Sequence, residues 1–191
     1  MNTIWCDTET TGLEPENSGA FEVALLFAKN GIVECERVFH LNPLNETIIY
    51  HEEAYQTHKV TEEEIRSYPP AEVIVPNIAE FLHQAIHVFG DGEKLKFAGY
   101  NCNFDYIHLK ALFTRCKLNL DDYFSCQFNA MDMVKKAVKQ NTVPFLANLK
   151  LGTVCKSLNI KLENAHTALA DIKATRQLCV ELYKKGVTLN S

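Results

Sequence analysis

At 191 residues, 47% of them hydrophobic and 23% charged, the chain reads as a single folded domain over 1–191, which excludes a disordered or low-complexity protein. No run of about 18 apolar residues could span a membrane, and the start lacks the basic-then-apolar layout of a signal peptide, so a cytoplasmic protein with no membrane partner is expected. The net charge of −5 argues against indiscriminate adhesion to polyanions, but it averages two unlike halves: residues 1–93 carry 17 acids and 4 bases, net −13, and residues 94–191 carry 15 bases and 7 acids, net +8.

Alternating short strands and helices follow along the chain. Strands are expected at 2–8, 20–29 and 32–41, the last two joined by a tight Asn30-Gly31 turn that makes them a hairpin. Thr61 with Glu64 forms a capping box that opens a short helix. The apolar spacing from Ala71 to Val88 predicts a longer helix, with Pro76 near its start or bending it. A strand at 95–101, a helix at 104–117 and a strand at 123–131 come next. Asp132 reads as a helix cap, a further helix fits 146–160, and the last runs from about Thr167 to Lys185 with Leu169, Ile172, Leu178 and Leu182 inward. The layout is α/β, with helices covering a mixed sheet. Seven scattered cysteines, odd in number and without a CxxC pair, point to reduced thiols.

Three acidic motifs stand out. Asp7-Thr8-Glu9 closes the first strand, where side chains two apart share a face and repel each other unless something positive lies between. Composition alone supplies about 0.6 such triplets in a chain like this, and the second copy, Asp91-Gly92-Glu93, is explained by a surface turn. In Asn101-Cys102-Asn103-Phe104-Asp105 the aspartate sits in or near a first helical turn, a position that the helix dipole favours without any catalysis. In His166-Thr-Ala-Leu-Ala-Asp171 the two side chains would lie about 140° apart on a continuous helix, so they converge only if His166 precedes the helix and Asp171 lies a turn in. The helix N-terminus would then disfavour protonation of His166 and keep a neutral base available.

The order of these motifs, from Asp7 to Asp171, resembles the DEDDh 3′→5′ exonuclease family, which includes polymerase proofreading subunits, ribonuclease T, oligoribonuclease and three-prime repair exonucleases. HKVTEEEI (58–65) and LKLGTVCKSLNI (149–160) are similar to further segments of that family. The resemblance implies a ribonuclease-H-like fold with a mixed five-stranded sheet flanked by helices. It implies that Asp7, Glu9, Asp105 and Asp171 hold two divalent cations, Mg²⁺ or Mn²⁺, with His166 assisting attack by water at the 3′-terminal phosphodiester. Thr10, Thr11 and Leu13 would bind the terminal nucleotide, Asn101 would help set the site, and Phe104 would pack beneath it or only fill core. Tyr100, also assigned to the substrate site, stands where many relatives carry a histidine.

Four carboxylates in one small volume agree with this physically, since each pair at 4 Å repels by about 4 kcal/mol at an effective dielectric of 20, and hard divalent ions prefer oxygen ligands. The expected substrate is the 3′ end of single-stranded nucleic acid, DNA ahead of short RNA, with nucleoside 5′-monophosphates released. Basic residues of the second half, among them Lys110, Arg115, Lys117, Lys135, Lys136, Lys139, Lys156 and Lys161, could form a track for that strand. The short run after the last helix favours a free-standing enzyme, while a homodimer or association with a polymerase is compatible with the sequence. Two rival readings are a His83-x-x-x-His87 zinc pair, which lacks a metalloprotease's glutamate at 84, and a catalytically degenerate module that only binds nucleic acid or a partner.

Overall fold

The computed structural model describes residues 2–162 and 167–189. Five strands, β1 (Asn2–Thr10), β2 (Ala20–Lys29), β3 (Ile32–His40), β4 (Leu95–Gly99) and β5 (Phe124–Asn129), form one sheet in the order β3-β2-β1-β4-β5. β1 pairs antiparallel with β2 and parallel with β4, and β5 extends the parallel half. The β2–β3 hairpin turns at Asn30 and Gly31, both with positive φ (51° and 83°), as the asparagine-glycine pair permits.

Strand alternation assigns the two sheet faces. Val23, Leu25 and Phe27 of β2 join Ile4, Cys6 and Phe97 beneath α3 (Ala71–His87) and α4 (Asn103–Arg115). Ala24, Leu26 and Ala28 turn the other way, towards Ile172 of α7 (Ala168–Lys184). The α7 layer is completed by α5 (Ala130–Lys139) and α6 (Leu151–Ser157) around Val134, Val154 and Leu178. A sheet covered on both faces explains why β2 is apolar along nearly its whole length.

The smaller helices depart most from expectation. α1 (Glu52–His58), short and polar, has no apolar period to announce it. In α2 (Glu62–Ser67) the Thr61 hydroxyl accepts from the Glu64 amide, but the Glu64 carboxylate accepts from Tyr68 Oη, so half of the capping box is formed. The helix expected over 146–160 is limited to Leu151–Ser157. At its front, the Asn148 side chain accepts from the Lys150 amide and the Tyr100 hydroxyl binds the Leu149 carbonyl. Beyond its end, Asn159 takes a positive φ of 55°. Asp132 is not a cap: the Asn129 side chain accepts from the Met131 amide at the start of α5, and Asp132 pairs with Lys135 one turn along. Pro76 lies in the second turn of α3, which continues through it.

Candidate active site

Cys6 packs into the α3–α4 layer and Trp5 against the α7 side, so alternation turns Asp7 and Glu9 together towards α7. The β1–β2 register shifts just after Glu9, between Glu9 and Thr10. Asp171, in the first turn of α7, meets the pair: Asp7, Glu9 and Asp171 each offer a ligand atom, all within 4.8 Å of one another. Glu22 of β2, opposite Glu9, fixes this approach, because its Oε1 accepts from the Ala168 amide at 2.8 Å and its Oε2 binds His40 Nε2 at 2.9 Å.

Asp105 arrives from the other layer, in the first turn of α4, and is only 3% exposed. Its Oδ1 accepts from both the amide and the hydroxyl of Thr8, each at 2.9 Å, which brings it to the strand between Asp7 and Glu9. Burial and mutual repulsion drive these groups towards protonation. Asp7 is held well above the usual carboxylate range by burial, then by Asp105, Asp171, Glu9 and Glu22. Burial, Asp171, Glu22 and Asp105 push Glu9 up to about 8. Burial raises Asp105 to about 7 against the two Thr8 bonds, which pull it down. A cluster that cannot hold its own charge, built of oxygen donors only, fits a hard divalent cation.

Asp7, Glu9 and Asp171 line a cleft of about 670 Å³. Leu13, 76% exposed, stands at the cleft with Thr10, Gly12 and Phe104. Its turn is fastened to α4: His108 Nε2 bonds the Leu13 carbonyl at 3.0 Å, and the Arg115 guanidinium reaches the carbonyls of Pro15 and Ser18. The far wall comes from α1 and its flanks, including His51, Thr57 and His58. His58 Nδ1 accepts from the Val60 amide at 3.0 Å, so the neutral ring carries its proton on Nε2, and burial lowers its pKa and keeps it neutral.

The other expected substrate contacts have their polar groups or packing engaged within the protein. Thr11 is fully buried; its hydroxyl donates to the Ile49 carbonyl and accepts from the Gly19 amide, so it builds the turn instead of lining the cleft. The Thr10 hydroxyl is likewise engaged, donating to the Gly12 carbonyl. Tyr100 packs into the α5–α7 core, and Asn101, at φ 57°, donates its amide to the Asn129 side chain. His166 lies outside the described residues. Glu22, His51 and His58 are the residues that the sequence did not single out; the one available signal was His58 at the head of HKVT. The His83 and His87 rings lie 4.4 Å apart on α3, but among the described residues the carboxylate trio is the one set of three that could share an ion.

Such a fold and such a site define the class of acidic, metal-holding α/β nucleases. The exonuclease family model, that of the RNase T group, matches residues 4–179, and the chain belongs to this family. The chain is 29% identical over 181 residues to the PolC-type DNA polymerase III of Clostridium perfringens and 26% identical over 181 residues to that of Halalkalibacterium halodurans. These matches cover 94% and 93% of the chain but 11% of each polymerase. Among solved structures, E. coli exonuclease I with zinc and single-stranded DNA aligns with a TM-score of 0.80 at 20% identity, over 96% of this chain and 40% of that one. Its complex with a dA16 oligonucleotide gives 0.79 at 18% identity, over 96% and 40%. The five-stranded mixed sheet is thus the ribonuclease-H-like fold of these exonucleases.

Proposed function

We propose that the protein is a divalent-metal-dependent 3′→5′ exonuclease that removes nucleoside 5′-monophosphates from single-stranded nucleic acid, with DNA as the preferred polymer. The observation that carries this reading is the convergence of Asp7, Glu9 and Asp171 within 4.8 Å at an open cleft, in a chain of the exonuclease family. The single-stranded DNA in the exonuclease I complexes supports DNA. The polymerase matches support a DNA polymerase as partner. Residues 1–191 act as one exonuclease unit, in the cytoplasm, which suits seven free thiols.

Asp7, Glu9 and Asp171 would hold the metal, with Asp105 contributing beside them. Two bound Mg²⁺ or Mn²⁺ ions would activate water and stabilise the departing 3′-oxygen. Leu13 and Phe104 offer the terminal base an apolar seat, and Thr10 and Gly12 keep the backbone close to it. His166 would take the proton from the attacking water. The test uses 5′-labelled DNA and RNA of matched sequence with Mg²⁺, Mn²⁺ or EDTA, alongside His166→Ala. The expected result is a metal-dependent ladder shortening from the 3′ end, faster on DNA, and slower by orders of magnitude in the variant. No shortening with either metal would replace the enzyme by a binding module, and near-normal hydrolysis by His166→Ala would remove its assigned role.

A further inference from the structure

Residues 133–162 contain six lysines and no Asp or Glu, in a chain whose net charge is −5. Two of the six are engaged: Lys135 pairs with Asp132, and Lys136 donates to the Thr188 carbonyl. Lys139, Lys150, Lys156 and Lys161 are exposed and have no ion-pair partner among the described residues. In the middle of this stretch, on the loop between α5 and α6, Phe145 is 95% exposed. The loop itself is anchored, since Val143, Leu146 and Leu149 pack on the α5–α7 core. An aromatic ring held in water by an anchored loop, among unneutralised lysines, has the two elements of a single-strand contact: a stacking face and point charges for phosphates.

Two links place this loop beside the catalytic end of the sheet. The Tyr100 hydroxyl binds the Leu149 carbonyl, and Tyr100 leads directly into the segment that carries Phe104 and Asp105. On the other side, α6 packs through Val154 and Cys155 on α7, the helix that carries Asp171 in its first turn. We infer that the α5–α6 loop and its lysines form a second nucleic-acid contact outside the cleft, with Phe145 stacking on a base upstream of the scissile bond. Lys150 and Lys156 face the phosphates of the same strand. The contact rests on the exonuclease reading above and extends it from the terminal nucleotide to the polymer behind it. Stacking on a single ring is indifferent to base identity, so it grips any sequence.

The test compares wild type, Phe145→Ala, Phe145→Trp and a combined Lys150→Gln, Lys156→Gln variant on a labelled single strand of about 14 nucleotides and on a dinucleotide that fills only the cleft. Phe145→Ala should raise KM for the long strand about tenfold with kcat and dinucleotide hydrolysis unchanged, and Phe145→Trp should restore it. The lysine variant should reduce the slope of log affinity against log salt by about 1.4. Anisotropy of the same strand in EDTA reads the contact without turnover. If Phe145→Ala binds as tightly as wild type there, the contact is overturned and the patch belongs to a protein partner. If the affinity difference is present but no protein hydrolyses either substrate, the contact stands and the exonuclease reading alone falls.

Discussion

Thr8 holds Asp105 through two bonds, one from the amide and one from the hydroxyl, and both oppose the burial that raises its pKa to about 7. Replacing the hydroxyl with a methyl group keeps the shape and removes one of the two. We predict that Thr8→Val costs about 1 kcal/mol of stability and raises the Asp105 pKa further. A metal ligand must be ionised, so the acid limb of the kcat/KM profile should move to higher pH; an unmoved limb would separate Asp105 from metal binding. The meeting of Asp7, Glu9 and Asp171 was legible because each sits in a short local motif whose order along the chain is distinctive. Glu22 was not, since its importance lies in facing Glu9 across a strand pair and meeting the Ala168 amide 146 residues away. Thr11 shows the converse: beside the motif, the pairing of its hydroxyl with the Ile49 carbonyl, 38 residues on, could not be read locally.

Elements written in strong local signals came out as expected. The β2–β3 hairpin is fixed by an Asn-Gly turn between two apolar runs, and α7 by its inward stripe. The front of α6 was not legible, because the backbone just before it is taken by Tyr100, a residue far away in sequence. β4 offers a sharper test of how strands determine the site. Gly99 closes that strand where a Cβ would come within 2.7 Å of the Cys6 carbonyl oxygen and 3.2 Å of Cys102 Cβ. The approach brings β4 against β1 one residue before Asp7. We predict that Gly99→Ala lowers stability by about 2 kcal/mol in urea unfolding and also lowers activity in the folded fraction, through displacement of β1. Loss of stability with full specific activity would show that the strands part without disturbing the carboxylates.

Across the molecule, the acid cluster makes metal-free stability depend on pH. Asp7, Glu9 and Asp105 all have pKa values raised above their ordinary 3.8–4.5, to about 8 for Glu9 and about 7 for Asp105. The folded state therefore binds more protons than the unfolded chain between those limits, and stability falls as pH rises. This contribution is whole below about pH 4 and is lost as pH climbs through about 7–8. In EDTA, Tm should decline from about pH 5 to about pH 9, and Mg²⁺ should raise Tm more at the alkaline end. A Tm that is flat or rises with pH in EDTA would contradict the repulsion described for the cleft. The asymmetry of charge between the halves was plain in the sequence, but its meaning depended on topology. Asp7 and Glu9 close β1 at the end of the sheet where Tyr100, just past β4, binds the Leu149 carbonyl beside Lys150, because β4 runs parallel to β1.

Asp7 and Asp171 stand near opposite ends of the chain, yet their ligand atoms meet. A chain emerging from the ribosome has made β1 long before the final helix exists, so the nascent protein holds half of the carboxylate cluster. Closing so long a loop belongs to the late, slow events of folding. A cation that requires both ends rewards only the finished fold, and its binding should slow hydrogen exchange in β1 by the same factor as global unfolding.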